Sequence, residues 1–203
     1  MKIYGTPPTR VIKALWLLNE LRLEYELVPV ALLEGEHLRP EFRELNPAAK
    51  VPVLVDGDLV LPESSAIAIY LAEKHPESGF MPETLEGRAQ VHRWLYFLNS
   101  EIEANLWRIA KHEFIYPEES RLPAEVALAT KDLLKMLKVL EEHLQDRECL
   151  VAGKVSVADF VAAYLLDWAN EAVGFADLPN LARFLDRMYE RPNAPARIRE
   201  SRG

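Results

Sequence analysis

The sequence predicts two domains, an α/β domain followed by an all-helical one. Three observations carry this. Strand-like and helix-like patterns alternate up to His75. Two β-branched runs, Val51 to Val55 and Leu59 to Leu61, flank Asp56-Gly57-Asp58, whose Asp-Gly step marks a tight hairpin. Beyond Pro76-Glu77-Ser78-Gly79 no convincing strand pair appears, and apolar residues recur only at helical spacing.

Lys2 to Gly5 reads as the first strand. Thr6-Pro7-Pro8-Thr9 forms a turn, and Arg10 opens an amphipathic run through Val11, Ile12, Leu15, Trp16 and Leu18 to Leu21. Tyr25 to Val30 is the second strand, which Pro29 restricts to a sheet edge because proline cannot donate to a ladder. Residues 35–42 form an irregular connection with a short helix. Pro52 at the start of the third strand belongs at a strand start, at an edge or in a cis turn. Ser64 or Ser65 is the expected N-cap of the helix carrying Ala66, Ile67, Ile69, Tyr70 and Leu71. The order strand, helix, strand, helix, strand, strand, helix is that of a thioredoxin-like unit.

The second domain begins with a helical pattern over residues 86–113 (Val91, Trp94, Leu95, Leu98, Ile102, Leu106, Ile109). In it Tyr96, Asn99, Glu103 and Trp107 are expected to share a face. Pro117 and Pro123 bracket a loop, and residues 124–144 are helical. Ser156 and Asp159 stand at N-cap and N3 spacing before another apolar helix. A last helix spans Pro179 to Arg191, and the tail with Arg197, Arg199 and Arg202 reads as a solvated end. The expected boundaries are 1–76, a linker at 77–85, and 86–203.

Composition narrows the function classes. A net charge of −8 over 203 residues argues against a broad phosphate-binding surface, so nucleic acid is not an expected partner. The longest apolar runs fall short of the roughly 18 residues that a membrane span needs. Lys2-Ile3-Tyr4 opens the fold at once, so no leader is expected. One cysteine, Cys149, permits no internal disulfide or Cys-x-x-Cys pair, which fits a reducing cytoplasm; a buried apolar role is expected for it. The five histidines lack metal-ligand spacing, so no metal site is expected. There is no Gly-x-Ser-x-Gly elbow, dinucleotide turn or phosphate loop.

The residues around 46–72 carry the functional signal. A helix N-terminus at Ser64 attracts anions through its free amides, and Glu63 places a carboxylate beside it. Such a pair suits a zwitterion with one amine and one carboxylate. The ordered set Asn46-Pro47, Lys50-Val51-Pro52-Val53-Leu54, Asp56-Gly57 and Glu63-Ser64-Ser65-Ala66-Ile67 resembles the glutathione-binding half of the cytosolic glutathione transferases, with theta/delta-like or bacterial nu-like character. Ser156-x-x-Asp159 is similar to the folding signature of that family's helical domain. The resemblance spans nearly the whole chain, strongly over residues 1–76.

The resemblance implies the glutathione transferase fold, a homodimer, and glutathione as co-substrate attacking a small electrophile in detoxification. It implies a cis Val51-Pro52 bond, with the Val51 backbone pairing with the cysteinyl residue. Glu63 and Ser64 would hold the γ-glutamyl end, while Lys50 and His37 would meet the glycyl carboxylate. In theta- and delta-like members the thiol-activating serine lies four residues before an arginine of the first turn. That position is Thr6 here, with Tyr4 and Thr9 as alternatives. Lowering a thiol pKa from about 8.5 by about two units needs roughly 2.7 kcal/mol of thiolate stabilisation, within reach of a hydroxyl donor backed by helix amides. The same fold also serves glutathione-dependent disulfide reductases and non-catalytic binding or regulatory proteins.

Overall fold

The structure, a computed structural model, describes residues 1–151 and 153–200. The chain divides into two compact units. One is Met1–Glu83 together with the chain from Pro192 onward, and the other is Thr84–Arg191.

The first unit is built on a four-stranded sheet in the order β2-β1-β3-β4, with β1 at Lys2–Tyr4, β2 at Glu26–Val28, β3 at Val53–Asp56 and β4 at Leu59–Pro62. β1 runs parallel to β2 and antiparallel to β3, with Ile3 opposite both Leu27 and Leu54. β2 is an edge strand, shorter than the expected Tyr25 to Val30 because it ends at Val28, just before Pro29. The β3–β4 hairpin pairs Asp56 with Leu59, leaving a two-residue loop whose first position, Gly57, has a φ of 60° that glycine adopts without strain. Asp56 accepts hydrogen bonds from Tyr70 Oη at 2.7 Å and from Lys74 Nζ, tying the hairpin to the next helix.

Three helices complete this unit: α1 (Val11–Glu20), α2 (Pro40–Leu45) and α3 (Ser64–Lys74). α1 packs on α3 and buries Val11, Ala14, Leu17 and Leu18, the face that its apolar spacing marks out. A separate cluster of Val30, Phe42, Val51 and Val53 packs with Tyr4, Leu32 and Leu45. In the tail Arg199 is exposed and Arg197 half-buried, as a solvated end requires, while Arg202 lies outside the described residues; the apolar residue between the first two is the exception. Ile198 is buried, and residues 197–200 close a turn in which Arg197 N–H donates to Glu200 Oε2 at 3.1 Å. One apolar side chain among several charged ones outweighs their pull toward water.

The second unit contains α4 (Leu85–Phe97), α5 (Ala104–Ala110), α6 (Pro123–His143), α7 (Val157–Val173) and α8 (Pro179–Tyr189). α7 is buried along most of its length and packs against α4, α5 and α8. Asp159, itself fully buried, accepts from Ser156 N–H and Ser156 Oγ, both at 2.8 Å, and from Leu150 N–H at 2.8 Å. The long helical pattern after residue 85 is interrupted by a π-helical segment at Leu98–Glu103. Wider turns there rotate the residues on either side relative to an α-helical wheel. Tyr96 is 75% exposed while Glu103 is buried, so Tyr96, Asn99, Glu103 and Trp107 do not share one environment. No helix among the described residues is long and apolar enough to cross a membrane.

Candidate active site

The site begins at the turn between β1 and α1. Gly5 has a φ of 151°, and a Cβ there would stand 2.9 Å from Val11 Cβ and Cγ2. Only glycine lets the end of β1 approach the first residue of α1 this closely. Thr6 follows, and its hydroxyl is committed to the backbone. Oγ1 donates to the Val30 carbonyl at 3.1 Å and accepts from Val30 N–H at 3.0 Å. Thr6 thus extends the β1–β2 pairing through its side chain.

Pro7-Pro8 is cis, and Thr9 stands at the start of α1. Thr9 Oγ1 accepts from Val11 N–H at 3.3 Å. Its own proton has no acceptor among the described residues. Tyr4 packs against the Val30, Phe42, Val51 and Val53 cluster, as a strand residue facing the sheet's own core.

The second part is the segment from α2 to β3. Asn46 ends α2 and is 5% exposed; its side-chain amide donates to the Lys50 carbonyl at 2.7 Å, and its Oδ1 accepts from Ala48 N–H at 3.1 Å. Ala49 adopts a φ of 53° inside this loop. The Lys50 ammonium is exposed and has no ion-pair partner among the described residues. Val51-Pro52 is cis, and β3 starts at Val53.

The third part is the start of α3. The N-cap is Glu63, with Ser64 the first helical residue, rather than Ser64 or Ser65 as the cap. Glu63 holds φ 74° and ψ 108°, a region that a residue with a Cβ enters at a cost of about 1–3 kcal/mol. The carboxylate makes no capping bond. The Ser64 side chain is buried, and the first-turn amides of an 11-residue helix lack intrahelical acceptors.

These parts converge. Lys50, Val51, Glu63 and Ser64 line one cleft together with Arg10, Asn46 and Pro52. The enclosed space of about 10 Å³ is room for about one water, so a larger group would lie along the cleft's open rim. Thr6, Thr9 and His37 are not on the cleft wall, and the β1–α1 turn reaches it through Arg10. His37 lies in a separate 3₁₀ turn, Glu36–Leu38, with Nδ1 buried and without a hydrogen-bond partner. Arg10 and Asn46 were not singled out as site residues from the sequence. Asn46 had a readable signal, since an asparagine before proline favours a side-chain-capped turn, whereas Arg10 looked like any helix-start cation. Cationic and anionic groups plus a helix N-terminus on one small cleft can bind a zwitterion by both ends.

Cys149 offers no competing nucleophile. It is 6% exposed, and burial pushes its thiol up to about 11, so thiolate is scarce at neutral pH. No cluster of three or more His, Cys, Asp or Glu residues suited to a metal ion occurs among the described residues.

A mixed four-stranded sheet with a strained residue at the start of α3, followed by a helical unit, defines a thioredoxin-like domain joined to an all-α domain. The sequence models of the glutathione S-transferase N-terminal and C-terminal domains match residues 1–73 and 106–192. Glutathione S-transferase 3 of Zea mays is 35% identical over 164 residues, which cover 78% of this chain and 73% of that protein. Glutathione S-transferase F9 of Arabidopsis thaliana is 30% identical over 203 residues, covering 95% and 93%. The glutathione transferase URE2P6 from Phanerochaete chrysosporium, solved in complex with oxidized glutathione, superposes with a TM-score of 0.86 at 29% identity over 99% of this chain and 95% of that one. This chain belongs to the glutathione S-transferase family.

Proposed function

We propose that this protein is a glutathione transferase that holds glutathione by its two charged ends and presents its thiol, as thiolate, to a small electrophile. The observation that carries this reading is the convergence of Lys50, Val51, Glu63 and Ser64 on one cleft. In this reading Glu63 and Ser64 hold the γ-glutamyl end. The α3 amides favour its carboxylate, and the Glu63 carboxylate favours its amine. Lys50 attracts the glycyl carboxylate and the Val51 backbone meets the cysteinyl residue. A role for His37 at the glycyl end rests on the family resemblance, since His37 lies off the cleft.

The hydroxyl that stabilises the thiolate is assigned to Thr9 instead of Thr6. Thr6 spends its proton on Val30, whereas Thr9 stands at the α1 N-terminus with its proton available. Glutathione supplies the nucleophilic sulfur. The chain supplies a hydrogen bond from Thr9 and the positive end of α1, both favouring the charged form of that sulfur. The same reading makes the protein a homodimer acting in detoxification in the cytoplasm, and the single free cysteine fits the cytoplasmic part of it.

Calorimetry tests the reading directly. Wild type is expected to bind reduced glutathione at millimolar concentration or below, and Glu63→Gln to weaken binding by about tenfold. No heat of binding at millimolar glutathione overturns it.

A further inference from the structure

We propose that Asn46 is a positioning residue that aims Lys50 at the glycyl carboxylate of glutathione. The inference rests on the glutathione reading above and extends it to a residue that never touches the reacting atoms.

All four polar groups of Asn46 are used locally. Its N–H donates to Phe42 O at 3.0 Å, and its carbonyl accepts from Ala49 N–H at 2.8 Å. Its side-chain oxygen accepts from Ala48 N–H at 3.1 Å, and its side-chain amide donates to Lys50 O at 2.7 Å. A single 5%-exposed side chain therefore closes both ends of the 46–50 loop. The loop needs such a tie because Ala49, with a Cβ, sits at a φ of 53°, a region that only a few non-glycine residues occupy without support.

Lys50 is the residue whose direction this tie sets. Its ammonium is exposed and has no partner among the described residues, so the loop backbone sets where the side chain starts and no protein group competes with a ligand for the ammonium. Pinning the Lys50 carbonyl fixes the peptide plane that leads into the Val51-Pro52 segment lining the same cleft. A loop ordered before the ligand arrives loses less entropy on binding, and the benefit falls on the group that the loop presents. That group is a cation, and the part of glutathione it selects is the glycyl carboxylate.

The test compares two ligands by calorimetry: reduced glutathione, and glutathione monoethyl ester, whose glycyl carboxylate is blocked. Wild type binds glutathione more tightly than the ester. Asn46→Ala is expected to weaken glutathione by about tenfold and the ester by severalfold less, since the ester keeps the Val51 contact and lacks only the carboxylate that Lys50 meets. Asn46→Ser keeps an oxygen for the Ala48 N–H but cannot span to Lys50 O, so it should show the same ligand-selective loss, and it decides the matter if the alanine variant does not fold. Adding Asn46→Ala to Lys50→Met should cost nothing further for glutathione, because the two act through one interaction. Equal loss for both ligands, no loss, or additive losses overturn the positioning role while leaving the glutathione reading intact. Failure of wild type to bind either ligand overturns the glutathione reading, and the positioning role falls with it.

Discussion

Thr6 and Val30 form a reciprocal pair: one hydroxyl bridges both backbone groups of a residue 24 positions away, donating at 3.1 Å and accepting at 3.0 Å. The hydroxyl thereby serves as a sheet rung, while the neighbouring hydroxyl of Thr9 keeps its proton without an acceptor among the described residues. Substitutions at the two threonines should therefore have separable effects. Thr9→Ala should return the pKa of bound glutathione thiol toward its ordinary value of about 8.5, a rise of about two units, while Thr9→Ser preserves it. Thr6→Val should lower stability by about 1–2 kcal/mol and leave the thiol pKa unchanged. Ultraviolet titration of thiolate absorbance reads the first effect and urea unfolding the second. A pKa that rises in Thr6→Val and stays in Thr9→Ala reverses the assignment.

Gly5 sets how closely β1 and α1 approach. Gly5→Ala adds a Cβ 2.9 Å from Val11 at a φ of 151°. The expected cost is about 1–3 kcal/mol, with weaker glutathione binding because Val11 begins the helix that carries the first turn. Chemical denaturation and calorimetry on the same sample check both, and full stability would show that the turn can relax.

The carboxylate of Asp159 gathers three donors from two segments, Leu150 and Ser156. Asp159→Ala leaves those donors buried without an acceptor, for an expected loss of about 3–5 kcal/mol. The loss should appear as a lowered melting temperature in the second unit with little direct effect on the cleft. A variant that melts with wild type would refute the importance of this anchor.

Asp56 supplies a pH-dependent contribution. Its carboxyl is held below the usual carboxylate range, first by the Lys74 hydrogen bond and next by the Tyr70 hydroxyl. A depressed acid stabilises the fold above its unfolded pKa of about 3.9, and that contribution disappears as pH falls through the lower folded value. The stability difference between wild type and Asp56→Asn should accordingly be largest near neutrality and shrink below about pH 4. Urea midpoints measured across acid pH follow it, and a difference independent of pH would exclude the carboxylate as its source.

Much of the architecture follows from short-range pattern. Asp56-Gly57 marked the hairpin because a two-residue loop needs a residue that accepts positive φ. Pro29 marked the sheet edge because it cannot donate. Ser156 and Asp159 announced the start of α7 because both partners lie within one turn of chain. Glu63 and Ser64 could be read from their place at a helix start, whereas Lys50 and Val51 were legible only through the family resemblance; the hairpin between them brings the four onto one cleft.

Long-range partners and local strain lie outside that pattern. Which threonine keeps a free proton depends on where Val30 lies, and β1–β2 pairing places it beside Thr6. The positive φ of Glu63 and the π-helical segment at Leu98–Glu103 are conformations that isolated chains disfavour and surrounding packing enforces. The amino-acid order by itself determined most of the elements, their order along the chain and the family, since those depend on residues near one another in the chain. The tertiary structure alone decided which hydroxyl is spent on the backbone, which residue caps α3 and that the Asn46 amide reaches the Lys50 carbonyl, because a donor's availability depends on every group that folding brings within its reach.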